Sequence, residues 1–239
     1  MKKLIVANWK DLPETLGQAE EILDYLSEQL NPETAAKADI IICPPDKYIE
    51  KVAELLQRTP LSDYAVLGLQ DVELSGENKF GAEYVIIGHS SHRVFESDET
   101  VNQKLKITLE KGLIPVVCIG EKVRDGNFEQ FLKEQVDATF AGLSADQISK
   151  CFIAYEPVWA ISTNPGSRPD TPESARVSIK VINDFLTNHY SLVASRYLYG
   201  GSVTVKNAHD FLSMPETAGV LVGGVSVRKE EFLNILKQL

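Results

Sequence analysis

Eight short apolar runs, rich in β-branched residues, punctuate the chain: LIVAN (4 to 8), ADIIICP (38 to 44), AVLGLQ (65 to 70), YVIIG (84 to 88), IPVVCIG (114 to 120), CFIAYE (151 to 156), RYLYG (196 to 200) and AGVLVGG (218 to 224). They are continuous rather than alternating in polarity, which is the pattern of strands covered on both faces, as strands of parallel sheets are. Between them lie stretches with apolar residues at helical spacing, including 14 to 30, 97 to 112, 171 to 189 and 227 to 239. Their ends carry matching signals: Ser97 caps one helix, Pro172 suits a first turn and Gly112 follows a last one. Right-handed crossovers between parallel strands leave two architectures, an open doubly wound sheet or a closed (β/α)8 barrel, and periodicity alone does not separate them. One connection is thin, because only Asp71 to Glu83 separates the third strand from the fourth, barely enough for a parallel crossover.

Length fits one domain. A chain of 239 residues, 44% of them hydrophobic, buries a sizeable core, and α/β barrels of this length form single units spanning residues 1 to 239. The balance of 24 basic against 34 acidic residues gives a net charge of −10, which argues against a nucleic-acid footprint or a membrane-binding patch. An anionic ligand must then find a local positive site. Cys43, Cys118 and Cys151 are odd in number, sit in or beside apolar runs and lack metal-ligand spacing, so they read as buried reduced thiols. The N-terminal apolar run is too short for a signal peptide and no stretch approaches a membrane span, so a cytoplasmic location is expected.

In either architecture the ligand site lies beyond the carboxyl ends of the strands. Strand one ends in Asn8 and is followed by Lys10; strand four runs into Gly88-His89-Ser90; strand six ends in Glu156; strands seven and eight give Gly200-Gly201-Ser202 and Gly223-Gly224. As chemistry, the set holds a candidate base, an imidazole able to polarise a carbonyl, a fixed cation, an amide, and glycine N–H groups that an anion can approach closely. There is no G-x-G-x-x-G, no Walker sequence and no cluster with metal spacing, so the expected chemistry is acid-base, with no cofactor and no metal.

ANWK (7 to 10), IIGHSSHR (86 to 93), ESDE (96 to 99), VVCIGE (116 to 121), AYEPVWAI (154 to 161), YGGSV (199 to 203) and VLVGG (220 to 224) together resemble the triosephosphate isomerase family, in its order and nearly over the whole chain. The resemblance implies a TIM barrel and the interconversion of dihydroxyacetone phosphate and glyceraldehyde 3-phosphate, a step of glycolysis and gluconeogenesis. It makes Glu156 the base that shuttles a proton through an enediolate, with neutral His89, Asn8 and Lys10 stabilising the oxyanion. Ser90 resembles the residue that holds the base at rest. Ser162, Ser202, Gly223 and Gly224 resemble the phosphate cradle, with Tyr199 and Gly201 in the supporting YGGS turn. Pro157-Val158-Trp159 resembles the first hinge of a mobile lid.

Three departures from the family pattern stand out. The lid reads AISTNPGSRPDT where the family usually has AIGTGKTA, so Ser162 reaches phosphate only if its backbone avoids positive φ. GHSSHR replaces GHSERR, which puts Ser91 where a carboxylate normally pairs with the lysine and makes Glu96 the candidate substitute. The β3-β4 connection is shortened to DVELSGENKFGAE, and Asp11 follows Lys10 where the family often has an apolar residue. Loss of that loop and the charge at Asp11 favour a monomer, or a dimer through some other surface, over the family homodimer. The altered lid also leaves two rival readings: a divergent barrel with weakened turnover or another small phosphorylated sugar as substrate, and a non-catalytic triose-phosphate binder. Intact Asn8, Lys10, His89 and Glu156 speak against the binder.

Overall fold

A computed structural model of the chain describes residues 2–73, 80–192 and 196–239. The strands are β1 (Lys3–Asn8), β2 (Ala38–Cys43), β3 (Ala65–Leu69), β4 (Tyr84–Ile87), β5 (Ile114–Ile119), β6 (Phe152–Tyr155), β7 (Arg196–Tyr199) and β8 (Thr217–Val222). Each pairs in parallel with the next, and β8 returns to β1, so the sheet is a closed barrel rather than an open one. The helices are α1 (Leu16–Gln29), α2 (Pro32–Ala35), α3 (Ile49–Arg58), α4 (Asp98–Glu110), α5 (Phe128–Phe140), α6 (Ala145–Ile148), α7 (Pro172–Tyr190), α8 (Ala208–Leu212) and α9 (Lys229–Leu236). The expected caps are present: the Ser97 hydroxyl accepts from Thr100 N–H, Thr171 caps α7 ahead of Pro172, and Gly112 follows α4 at φ +74°. Among the described residues the β3–β4 connection carries no helix; its residues 74–79 lie outside the description.

Two apolar layers explain why the strands read as unbroken apolar runs. Leu4, Val6, Ile41, Cys43, Ile86, Val116, Cys118, Phe152, Ala154, Leu198 and Leu221 fill the barrel interior. The alternate residues, such as Ile5, Ala7, Val117, Ile119, Ile153 and Tyr155, pack outward under the helices. The period of two then carries past the interior layer: after Leu4 and Val6 comes Asn8, and after Phe152 and Ala154 comes Glu156. Both side chains point into the barrel mouth, and both are buried. All three cysteines are buried free thiols. No helix among the described residues is long and apolar enough to cross a membrane.

Closure depends on close backbone approach at the β8–β1 seam. A Cβ on Gly219 would lie 1.8 Å from the carbonyl oxygen of Leu4, whereas a Cβ on Gly17 in α1 meets nothing within 4 Å. Gly219→Ala is expected to cost about 3 kcal/mol or more through overpacking of the seam, while Gly17→Ala gains about 0.5–1 kcal/mol from reduced chain entropy. Denaturant midpoints of opposite displacement would bear this out; two shifts of the same sign would contradict it.

Candidate active site

The barrel mouth opens into a cavity of about 140 Å3 whose lining includes Asn8, Lys10, His89, Glu156, Ser162, Gly201, Ser202, Gly223 and Gly224. It therefore brings together the predicted catalytic and phosphate-binding residues. Ser90 reaches it through Glu156. Trp159 and Tyr199 stand behind it, and Glu96 belongs to a separate cluster.

Glu156 is only 3% exposed, yet it is well supplied with donors. Ser90 N–H donates to Oε2 at 2.9 Å, the Ser90 hydroxyl donates to Oε1 at 2.8 Å, and His89 Nε2 lies 3.0 Å from Oε1. Burial pushes the carboxyl up, but His89 and the two Ser90 donors outweigh it and hold the pKa below the ordinary glutamate value. The imidazole is oriented from its other side. Ser91 N–H donates to His89 Nδ1 at 3.2 Å, with the Ser91 hydroxyl 2.8 Å away. A backbone N–H can only donate, so Nδ1 is the acceptor and Nε2 carries the ring proton of a neutral imidazole that faces the cavity. The residue in place of the family's carboxylate thus serves the histidine.

Lys10 adopts φ +55°, a left-handed backbone that is costly for a residue with a Cβ and is offset here by fixed hydrogen bonds. Its N–H donates to Asn8 Oδ1 at 3.1 Å, and its carbonyl accepts from Gln70 Nε2 at 2.7 Å. Gln70, which ends the third predicted strand run, was not singled out from sequence; it ties the lysine loop to β2 by a second bond to Cys43 O at 3.0 Å. The lysine stem crosses the cavity floor, so that a Cβ on Gly223 would lie 3.5 Å from Cε and 3.8 Å from Nζ.

Glu96 does not replace the missing partner of Lys10. Its Oε1 accepts from Lys104 Nζ at 2.6 Å, and Lys104 also pairs with Asp71, which lies 3.3 Å from His92 Nδ1. The reason is topological: Glu96 and Lys104 project from the entry and second turn of α4 toward Asp71 at the end of β3, where the Lys104 ammonium engages both carboxylates. Asp71, His92 and Glu96 have metal-ligand geometry, but the Lys104 ammonium already binds both carboxylates and supplies the positive charge. Burial opposes charge on Lys104 and the two carboxylates outweigh it, so its pKa is raised; His92 is raised chiefly by its hydrogen bond to Asp71.

The lid segment is pinned at several points. Ser162 N–H donates to Ser202 Oγ at 2.7 Å, and that hydroxyl donates to Ala160 O at 2.9 Å. Asn164 Nδ2 bonds Val158 O, and Arg168 bonds Trp159 O while its guanidinium lies 5.0 Å from the indole centroid. Ser162 and Asn164 avoid positive φ; the left-handed position has moved to Gly166 at φ +72°. The condition for a serine at 162 is met. Below the first hinge, Glu121 accepts from Tyr155 Oη, Trp159 Nε1 and Arg124, each at 2.9 Å. Glu121 is 1% exposed and was missed from sequence, although its place at the end of VVCIGE was the available signal. Thr163, Thr204 and Arg228 also line the cavity without having been foreseen.

A closed parallel barrel with a carboxylate, a neutral imidazole, an ammonium and glycine turns at its carboxyl rim is the arrangement of a (β/α)8 barrel enzyme. The sequence model of one family, Triosephosphate isomerase, matches residues 3–239. Curated relatives named triosephosphate isomerase include those of Roseiflexus sp. (strain RS-1), 35% identical over 98% of this chain and 96% of the relative, and of Hahella chejuensis (strain KCTC 2396), 33% identical over 99% and 98%. A third, from Salmonella paratyphi B, is 34% identical over 98% and 95%. The chain belongs to the triosephosphate isomerase family and is a triose-phosphate isomerase enzyme.

The Asp71–Lys104–Glu96 cluster gives a stability test. Lys104→Met leaves two partly buried carboxylates facing each other, and the expected loss is about 2–3 kcal/mol, toward the low end for buried pairs because both acids retain some solvent contact. Urea unfolding at neutral pH measures it; an unchanged midpoint would show that the acids are adequately solvated without the ammonium.

Proposed function

We propose that this cavity interconverts dihydroxyacetone phosphate and glyceraldehyde 3-phosphate by proton transfer through an enediolate, as a step of glycolysis and gluconeogenesis in the cytoplasm. The observation that carries the reading is the meeting of Glu156 and His89 Nε2–H at 3.0 Å on one wall of a cavity that Lys10, Gly223 and Gly224 also line. Glu156 takes a proton from the carbon beside the carbonyl and returns it to the neighbouring carbon. His89 Nε2–H, the Asn8 amide and Lys10 stabilise the charge that develops on oxygen. The hydroxyl proton passes to the former carbonyl oxygen, relayed through His89 Nε2, so every hydrogen is conserved and no redox change or outside proton is required.

The resting contacts support one way of activating the base. On Ser90, Glu156 is a weak base because three donors stabilise its charge. Turning into the cavity costs it the Ser90 donors, and exclusion of water there raises its basicity where the substrate carbon sits. The phosphate lies over Gly223 and Gly224, near the Lys10 ammonium. For the Ser162 N–H and Ser202 hydroxyl to join the cradle, their mutual bond must part, so the lid rearranges as phosphate binds.

Glu156→Gln keeps the shape and several of the resting hydrogen bonds but cannot accept a carbon-bound proton. A coupled assay with glyceraldehyde 3-phosphate is expected to show kcat lower by about 10²- to 10⁴-fold with near-parental stability. Activity within a few-fold of the parent would place the base elsewhere, and would favour another substrate or a binding role.

We further propose a monomer, on the shortened β3–β4 connection, whose residues Glu77, Asn78 and Lys79 lie outside the described segments, and on Asp11. Val94 and Phe95, 71% and 90% exposed, are the features a partner would cover. Light scattering at micromolar concentration is expected to give 26.5 kDa; twice that mass, with Val94 and Phe95 protected, would overturn the proposal.

A further inference from the structure

Asp170 is the last residue of the lid segment, directly before the α7 cap Thr171. Both of its carboxylate oxygens are out of contact with water, and among the described residues neither accepts a hydrogen bond of normal geometry. A carboxylate in that position is uncommon, because buried charges ordinarily find donors. Nothing in the reaction described above uses it. The groups facing it come from four elements: Glu121 and Arg124 from the segment after β5, Tyr155 from β6, Tyr199 from β7, and Ser174 from α7. Glu121 is itself buried, with Oε1 committed to Tyr155, Trp159 and Arg124 and Oε2 without a partner. Each hinge of the lid therefore rests on a buried acid: Trp159 at the first hinge hangs from Glu121, and the second hinge contains Asp170.

We infer that Asp170 is a positioning residue that stays protonated while the lid is docked and makes lid position depend on pH. The inference rests on reading residues 157 to 170 as the lid of a triose-phosphate site. Burial pushes the Asp170 carboxyl up, and the nearby Glu121 charge pushes the same way; the looser approach of Ser174, the Thr171 N–H and the Arg124 charge do not offset them. Deprotonation leaves a charge that Ser174, the Thr171 N–H and the Tyr199 hydroxyl approach only loosely, and swinging the second hinge outward solvates it. That motion pulls on Arg168, whose N–H holds Trp159 O, and on Ser162 at the Ser202 latch. The docked lid is thus favoured at low pH and released as pH rises.

The sign for stability follows from linkage. An acid harder to ionise in the folded chain holds its proton to higher pH there than in the unfolded chain, so stability falls as pH rises from the ordinary aspartate range through the raised pKa, and stays lower above it. Asp170→Asn, a neutral isostere, is expected to raise Tm at pH 8 and to leave it nearly unchanged at pH 4. Tryptophan emission reads the lid without any ligand: Trp159 sits at the first hinge, and Trp9, fully buried, is a constant background. The parent should show an emission step between pH 4 and 8 that is absent in Asp170→Asn and, as a smaller neutral replacement, in Asp170→Ala. In the parent the Kd for glycerol 3-phosphate, an unreactive reduced relative of the substrate, should rise relative to Asp170→Asn by up to about tenfold per pH unit above the carboxyl's pKa. A Tm gain equal at pH 4 and 8, or an emission step retained in both variants, would overturn the inference. Failure of glycerol 3-phosphate to bind either protein would overturn the triose-phosphate reading instead, and the two ligand-free measurements would still decide the role of Asp170.

Discussion

Everything at the mouth of this barrel depends on the period of two in strands whose backbone groups are paired on both sides. Once β8 hydrogen-bonds to β1, no strand can slip by a residue without turning its interior side chains outward, so the sheet has one register. The same alternation that packs Val6 and Ala154 in the interior aims Asn8 and Glu156 into the cavity above them. The geometry of the barrel mouth is the continuation of core packing beyond the last apolar layer. The glycine approach at residue 219 and the half-buried Arg93, whose Nε bonds Gly88 O and whose Nη2 bonds Cys118 O, hold neighbouring strand ends to that register.

Two buried acids show how local donors decide what a carboxyl does. Glu156 is removed from water but meets a serine N–H, a serine hydroxyl and an imidazole N–H, so it remains a carboxylate. The Asp170 carboxylate oxygens are removed from water and meet only the loose approach of Ser174, Thr171 and Tyr199, so this carboxyl is harder to ionise than an ordinary aspartate. The former keeps its charge because its donors outweigh burial; the latter resists ionisation because its neighbours do not. Burial sets the cost in both cases, and the hydrogen-bond inventory sets the outcome.

Much of the fold was legible because each strand is an unbroken apolar run, bounded by polar or glycine residues that mark its carboxyl end. Asn8, His89 and Glu156 were readable for the same reason, since each stands at a strand end or within two residues of one. Glu121 also stands at a strand end, but its partners Tyr155 and Trp159 come from the next strand and its loop, and nothing in VVCIGE announces that contact. Glu96 was misassigned because sequence places it near His89, whereas the turn from His89 to Ser97 directs its side chain toward Lys104 and Asp71. Closure of the sheet could not be read from periodicity, because open and closed parallel sheets bury their strands in the same way. The position of the Asp170 carboxyl was equally hidden, since it depends on how Tyr199 and Glu121 pack beneath a loop with no periodic pattern.

The two donors that Ser91 directs at His89 have a consequence for which ions the cavity tolerates. A neutral imidazole has one in-plane lone pair, and here it lies on Nδ1 under the Ser91 N–H and hydroxyl, while Nε2 presents a proton. The ring that faces the cavity therefore offers a transition-metal ion nothing to coordinate unless it gives up its proton or its anchoring turn opens. A carboxylate and an imidazole side by side are the usual makings of a metal trap, but here the ring's lone pair is spent on its own turn.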